Sequence, residues 1–214
     1  MNASLRLRPA GGHDLRKHHV AELCYPRECV LVVAGIPGAG KTTLLRRLFA
    51  VTGQESTTAR TDDGTLVLDS AQARTWWRRY LHRLPYAWWR PLIHLTYYGR
   101  LVLTMRAHNG PVVLHDCATS PWNRRLIMNA ARRARKQVHL LMLDVAPPTA
   151  RAAQHARGRR VPASSFARHC DRWQRMRDAV LDGPGAVHPD ITSAVIINRA
   201  GAQRLTTIHF QESP

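Results

Sequence analysis

The sequence predicts a three-layer α/β fold, with a five-stranded and mainly parallel sheet flanked by helices. Three observations carry that expectation. Short apolar runs without alternation recur along the chain, as strands buried on both faces require. Stretches with helical spacing separate them, and strands that alternate with helices imply parallel crossover connections. A glycine-rich turn, Gly35-Ile36-Pro37-Gly38-Ala39-Gly40-Lys41-Thr42, joins the first such run to the first helical stretch. A chain of 214 residues buries roughly 70% of its unfolded surface in one core, so a single domain is expected over residues 29–214, preceded by an N-terminal arm over residues 1–28.

Each element has a local reason. The arm is polar and carries a short helix around Asp14 to Leu23. Cys29 to Ala34 (CVLVVA) is the first strand, and Thr42 to Val51 the helix after the turn. Leu66 to Leu68 forms a second strand that follows the Asp63-Gly64 turn and ends on Asp69. Gln72 to Leu84 is an arginine- and aromatic-rich helix broken at Pro85. From Pro91 to His108 a further helix places Leu92, Leu95, Val102 and Leu103 on one face, and Asn109-Gly110-Pro111 stops it. Val112 to Leu114 is the third strand, ending at His115-Asp116. Pro121 to Lys136 is a basic helix, Val138 to Leu143 the fourth strand, and Thr149 to Arg160 an arginine-dense helix. Ser164 to Leu181 is the last long helix. Past the Pro/Gly linker Gly183 to Pro189, Ala194 to Asn198 is the fifth strand, and Leu205 to Phe210 an edge strand.

Composition narrows the function classes. Apolar residues make up 44% of the chain, enough to fill a core, which excludes global disorder. Lys and Arg number 32 against 14 Asp and Glu, a formal charge of +18. Only Lys17, Lys41 and Lys136 are lysines. A GC-rich genome explains arginine in place of lysine, but not the scarcity of acids, and a field of this sign concentrates polyanions. No apolar run approaches the roughly 20 residues of a membrane span, and no secretory signal opens the chain, so the cytoplasm is the expected compartment. Cys24, Cys29, Cys117 and Cys170 lack metal-type spacing and read as reduced thiols. The histidines show no ligand spacing either.

The glycine-rich turn fits G-x-x-x-x-G-K-[ST] in its required setting between strand and helix. Backbone N–H groups from Gly38 to Thr43 then curl around a triphosphate on the positive end of the helix, with Gly35, Ala39 and Gly40 completing the turn. Lys41 neutralises β and γ oxygens and the Thr42 hydroxyl ligates Mg²⁺, so ATP and Mg²⁺ are the expected cofactors. A second acidic group belongs near the metal, and Asp116 is the candidate. Strand ends in an open α/β sheet face one crevice, which brings Asp69 to the same place and offers Asp144 as well. Asp62 and Asp63 precede a glycine and read as turn formers. The helix with Arg151, Arg157, Arg159 and Arg160 is either a solvated basic face or a lid whose guanidinium groups balance charge on the moving phosphoryl group. Asn198-Arg199-Ala200-Gly201 stands where a GTPase switch protein has its guanine-reading motif, and Arg199 either stacks on adenine or is a surface arginine.

From about Cys29 to Asn198 the chain resembles the P-loop kinases related to polynucleotide kinase, the zeta-toxin kinases and chloramphenicol phosphotransferase, a group of AAA-family ATP-binding proteins. The likeness rests on Gly35 to Thr43, on Asp69 followed by Arg74, on the strand Val112 to Asp116, and on the arginines before Val161-Pro162. It implies that the protein phosphorylates a hydroxyl group, with Asp69 as general base, Arg74 as an acceptor-side contact, and Arg157 and Arg160 as lid arginines over about residues 149–162. Gln154 departs from the pattern, standing where a further lid arginine is expected. The expected activity is an ATP-dependent phosphotransferase. The alternative is a nucleotide-binding, ATPase-like regulatory protein acting through a basic surface.

The acceptor side is an insertion over about residues 72–108, in which Trp76-Trp77-Arg78-Arg79-Tyr80, Trp88-Trp89-Arg90 and Tyr97-Tyr98-Gly99-Arg100 interleave rings and guanidinium groups. Four readings stay open. Such a segment suits stacking on a single-stranded nucleic acid, packing of an aromatic helix with Trp76, Tyr80 and Leu84 inward, a pocket over a small molecule, or an interfacial face on an anionic membrane. The acceptor is accordingly a nucleic acid or a small molecule.

Overall fold

The glycine-rich turn leaves the middle of a sheet. In the computed structural model, which describes residues 6–52, 54–156, 158 and 161–212, the strand before it, Cys29–Ala34, is buried at every position and hydrogen-bonded on both edges. In chain order the strands are β1 (Arg6–Leu7), β2 (Gly11–Asp14), β3 (Glu22–Pro26), β4 (Cys29–Ala34), β5 (Ala59–Arg60), β6 (Leu66–Asp69), β7 (Val112–His115), β8 (Gln137–Leu143), β9 (Ile191–Ile197) and β10 (Thr207–Gln211). The helices are α1 (Lys41–Phe49), α2 (Ser70–Leu81), α3 (Tyr86–Ala107), α4 (Pro121–Arg133), α5 (Pro147–Ala156), α6 (Ala163–Leu181) and α7 (Arg199–Arg204).

The main sheet has the order β2-β9-β8-β4-β7-β6-β5, and every pairing is parallel except β5 with β6. Its five inner strands are the five expected ones, and their apolar runs are buried on both faces as a sheet covered by helices requires. The expected total of five is corrected by two edge strands, giving seven, and by a second sheet of three, β1-β3-β10. The helix expected over Asp14 to Leu23 does not form. Residues of the arm instead extend both sheets: Gly11–Asp14 pairs with Ser193 to Ile196, and Glu22–Pro26 with Thr207 to Gln211. Backbone pairing with a neighbouring strand fixes the short polar segment Gly11–Asp14, whose side-chain pattern does not reveal it, whereas Glu22–Pro26 also buries Leu23, Cys24 and Tyr25. The edge strand expected near Leu205 to Phe210 is β10, on this second sheet.

α3 departs from its expected face. Trp89, Ile93, Tyr97, Leu101 and Met105, spaced by four, point into the core, whereas Leu92, Leu95 and Leu103 are exposed. The helix is apolar on both sides, so leucine identity did not mark the inward face. It also starts at Tyr86, ahead of Pro91, because burial of Trp89 and Ile93 holds its first turns in place. Since the inner strands are parallel, the ends of β4, β6, β7 and β8 open on one rim. Among the described residues no helix is long and apolar enough to cross a membrane.

Candidate active site

On that rim the turn after β4 takes the shape a phosphate loop needs. Gly38 and Gly40 have φ of 91° and 106°, backbone that side chains rarely adopt, and a Cβ on Gly38 would meet the Ala150 carbonyl oxygen of α5 at 2.1 Å. α1 begins on Gly40 with no side-chain cap and no acid in its first turn, so its N–H end is left for an anion. Lys41 is buried and donates from Nζ to the carbonyls of Gly35 (2.6 Å) and Ile36 (3.2 Å). An ammonium held at the mouth of its own loop is placed to exchange these partners for phosphate oxygens.

The loop forms one wall of a cavity of about 390 Å³. Lys41 and Thr42 share that wall with Gly38 and Gly40, and Asp116 and Arg74 line the same space. A hydroxyl and a carboxylate at one cavity are a hard-oxygen donor pair of the kind Mg²⁺ takes. Asp116 is held in position by two contacts: its Oδ1 accepts from the Ala118 N–H at 2.7 Å, and its Oδ2 from the Tyr98 hydroxyl at 3.3 Å. Burial and the Asp116 charge both push the Tyr98 hydroxyl pKa up, so it stays a donor.

Asp69 stands behind the wall. Its Oδ1 caps α2 by accepting from the Ala71 N–H at 2.8 Å, while its Oδ2 lies 2.5 Å from His115 Nδ1. Burial alone would raise this carboxyl, but the His115 ring, the Ala71 N–H and Arg74 outweigh it and hold the pKa below its ordinary value. The group that reaches the cavity is His115, with Ser70 beside it. The strand-end argument brings Asp69 to the site and the resemblance makes it the base, but neither names its imidazole partner, which a polar residue at the end of a buried strand signals.

The opposite wall comes from α3, as Arg90, His94, Tyr97 and Tyr98. These positions run i, i+4, i+7 and i+8, a stripe visible in the sequence once the helix is placed. Asn123 of α4 and His169 of α6 complete the wall and have no local signal. Burial, then Lys41 and nearby arginines, push the His169 pKa down; burial and Arg90 do the same at His94. Cys117, 3.8 Å from Lys41 Nζ, also lines the cavity, and burial keeps its thiol pKa raised.

Other expected residues sit elsewhere. Asp144 does not join this cavity: it pairs with Arg16 at 3.0 Å and accepts from Trp173 Nε1 at 3.0 Å, tying the N-terminal segment to α6. Arg199 lines a second, smaller pocket of about 120 Å³, with Ala39, Gly40 and Thr43 of the loop and first helix. Arg157, Arg159 and Arg160 lie outside the described residues. Arg151, at the other end of that helix, is exposed and stacks over Phe166, 5.2 Å from the ring centroid. Gln154, the departure from the expected lid pattern, does line the cavity: it is buried and donates from Nε2 to the Pro37 carbonyl at 2.8 Å, which binds α5 to the loop.

Compared with known proteins, the sequence profile of the AAA domain matches residues 30–181. The chain belongs to that family. Its α/β architecture is that of the P-loop kinase group. A solved structure from the PezAT chromosomal toxin–antitoxin system of Streptococcus pneumoniae superposes with a TM-score of 0.52 at 10% identity, covering 83% of this chain and 69% of that one. That likeness is one of fold. The AAA domain is also similar to the tunicamycin resistance protein of Deinococcus radiodurans (TM-score 0.42, 17% identity, 71% of this chain and 81% of that one). A gluconokinase from Sinorhizobium meliloti 1021 gives a TM-score of 0.43 at 15% identity, covering 84% of this chain and 94% of that one. No curated protein sequence matches it.

Proposed function

We propose that this AAA domain is a cytoplasmic phosphotransferase that moves the γ-phosphoryl group of ATP to a hydroxyl acceptor. The observation that supports the reading best is that the cavity continues past the phosphate loop to a second wall with a carboxylate–imidazole pair. A protein that only bound nucleotide has no use for that second wall.

In this reading Gly35 to Thr43 cradle the triphosphate, Lys41 meets its β and γ oxygens, and Arg199 stacks on the base. Thr42 and Asp116 would hold Mg²⁺, which supplies charge neutralisation on the transferring group. The acceptor lies along α3 within the helical insertion of residues 72–108, with Arg74 as an anionic-group contact. Asp69 holds Nδ1 of His115, which leaves Nε2 as the base toward the cavity. As the acceptor oxygen bonds to the γ phosphorus, its proton passes to Nε2, the bond to the β,γ-bridging oxygen breaks, and ADP leaves with the electron pair. Arg157 and Arg160, which follow α5 in the sequence, are the arginines of the lid over residues 149–162 and balance the transferring charge.

The test is transfer of γ-labelled phosphate from ATP to a panel of 5'-hydroxyl oligonucleotides, nucleosides, sugars and hydroxylated antibiotics. Label on one class, lost in Lys41→Ala, supports the reading. ATP binding with no transfer to any class would favour a nucleotide-dependent regulator acting through its basic surface.

A further inference from the structure

Nine large apolar side chains stand exposed among the described residues, and seven of them fall between Tyr80 and Leu103. The densest row is on α3, where Trp88 is 74% exposed, Leu92 37%, Leu95 73% and Leu103 66%. With Gly99, whose Cβ position has nothing within 4 Å, these residues are spaced by four or three and form one stripe along the helix. The stripe lies opposite the inward row Trp89, Ile93, Tyr97, Leu101 and Met105. A helix apolar on both sides is ordinarily covered on both sides, and among the described residues only one side is covered.

The charge around the stripe says what covers the other. Between Asp69 and Asp116 the sequence holds seven arginines and no aspartate or glutamate. Exposed Arg83 precedes the stripe, and exposed Arg106 ends it. A tryptophan, three leucines in line and arginines at the margins, on a segment whose own sequence has no carboxylate, is the pattern of a helix lying in a bilayer interface. A second copy of the chain would set arginine against arginine. A nucleic acid would find phosphate contacts but no use for three leucines, which neither stack nor hydrogen-bond.

We propose that α3 docks on an anionic lipid bilayer, inserting Trp88, Leu92, Leu95 and Leu103 below the headgroups while Arg83 and Arg106 meet them. The docking face is distinct from the cavity, which α3 lines from its other side.

Sedimentation with vesicles tests this. The full chain should bind vesicles of phosphatidylcholine mixed with phosphatidylglycerol, more weakly as salt rises, and should ignore phosphatidylcholine alone. Its tryptophan emission should shift to the blue on binding, and the shift should shrink in Trp88→Phe. Leu95→Glu with Leu103→Glu should weaken binding by about tenfold or more at an unchanged melting temperature. Leu95→Ser alone gives the same reading should the double variant not fold. Full retention of binding in these variants would mean adsorption by charge only and would overturn the proposal. So would a dimer of the parent that the double variant dissolves. A single-stranded oligonucleotide bound in place of the vesicles, and weakened by the same substitutions, would overturn it in favour of nucleic acid.

Discussion

The phosphate loop draws Gly35 to Thr42 from consecutive residues, whereas the facing wall collects Arg74 from α2, His94 and Tyr98 from α3, His115 from the end of β7, and His169 from α6. On the donor side, geometry is set by two left-handed glycines and a helix start, and neighbouring atoms along the chain supply the contacts. On the acceptor side, geometry is set by how α2, α3 and α6 pack on the sheet. The donor side should therefore respond to substitutions inside its motif and to little else. The acceptor side should respond to substitutions in the packing that positions it.

The largest effect belongs to the donor side. Lys41→Ala should remove nucleotide binding and lower transfer by on the order of 10³ or more, read by ATP titration and by label transfer. Parent-like behaviour of this variant would dissolve the comparison, since the loop would then not hold the donor.

Next come the imidazole of the acceptor wall and the carboxylate behind it. His115→Gln should lower transfer by about 10² to 10⁴ while leaving ATP affinity in place. Asp69→Asn keeps the cap on α2, because asparagine caps as well as aspartate, and removes only the charge facing His115. It should slow transfer too, and the double variant should be no slower than the worse single one, because both remove the same base. A loss of ATP binding in Asp69→Asn would place Asp69 with the metal ligands, on the donor side. Simple multiplication of the two losses would separate the residues.

Packing makes the third test. Trp89→Ala opens the core under α3 and should cost about 3 to 5 kcal/mol by denaturant unfolding, whereas Trp88→Ala, one residue away and 74% exposed, should stay within about 0.5 kcal/mol. Below its melting temperature the Trp89 variant should bind ATP normally and transfer poorly. Equal loss of both functions would show that the donor side leans on α3 as well.

The far end of the sheet gives a control that touches neither side. His139 is 1% exposed, bonded from Nδ1 to the Ser193 hydroxyl at 2.7 Å, and burial pushes its pKa down to about 4. The unfolded chain takes up this proton near pH 6.5 and the folded chain does not. Its contribution is thus full above about pH 6.5 and is lost as pH falls toward 4, at up to about 1.4 kcal/mol per unit. His139→Gln should flatten that stretch of the stability curve without moving the rate of transfer. A curve of unchanged slope would assign the acid lability to other groups.

What the sequence showed follows the same division. The loop, its helix and the buried runs Cys29–Ala34 and Val138–Leu143 were legible because their patterns are local and contiguous. Gly11–Asp14 was not, since a short polar segment becomes a strand only through the neighbour it pairs with. The inward face of α3 was misread at Leu92, Leu95 and Leu103, because a helix apolar on both sides has no period to read. His169 reaches the cavity from a helix more than fifty residues past Asp116, and only the packing of α6 reveals it.

Arg199 is the exception on the donor side, and the smallest expected effect. It comes from α7, far along the chain from the loop, yet it lines the pocket with Ala39, Gly40 and Thr43. Its helix is fixed independently of any ligand: Asn198 caps it by accepting from the Gly201 N–H at 2.7 Å, and Arg47 of α1 donates to the Gln203 carbonyl at 2.8 Å and the Leu205 carbonyl at 2.7 Å. An exposed guanidinium stacked on a base contributes about 0.5 to 1 kcal/mol, so Arg199→Ala should weaken ATP binding by only about two- to fivefold. The maximal transfer rate and the acceptor KM should not move, because the residue lines a different pocket from the cavity. Calorimetric titration with ATP and with inorganic triphosphate separates the outcomes. A loss seen with ATP and absent with triphosphate fits a base contact, whereas an equal loss with both would make Arg199 a phosphate contact and extend the loop's assembly to a residue the motif does not contain.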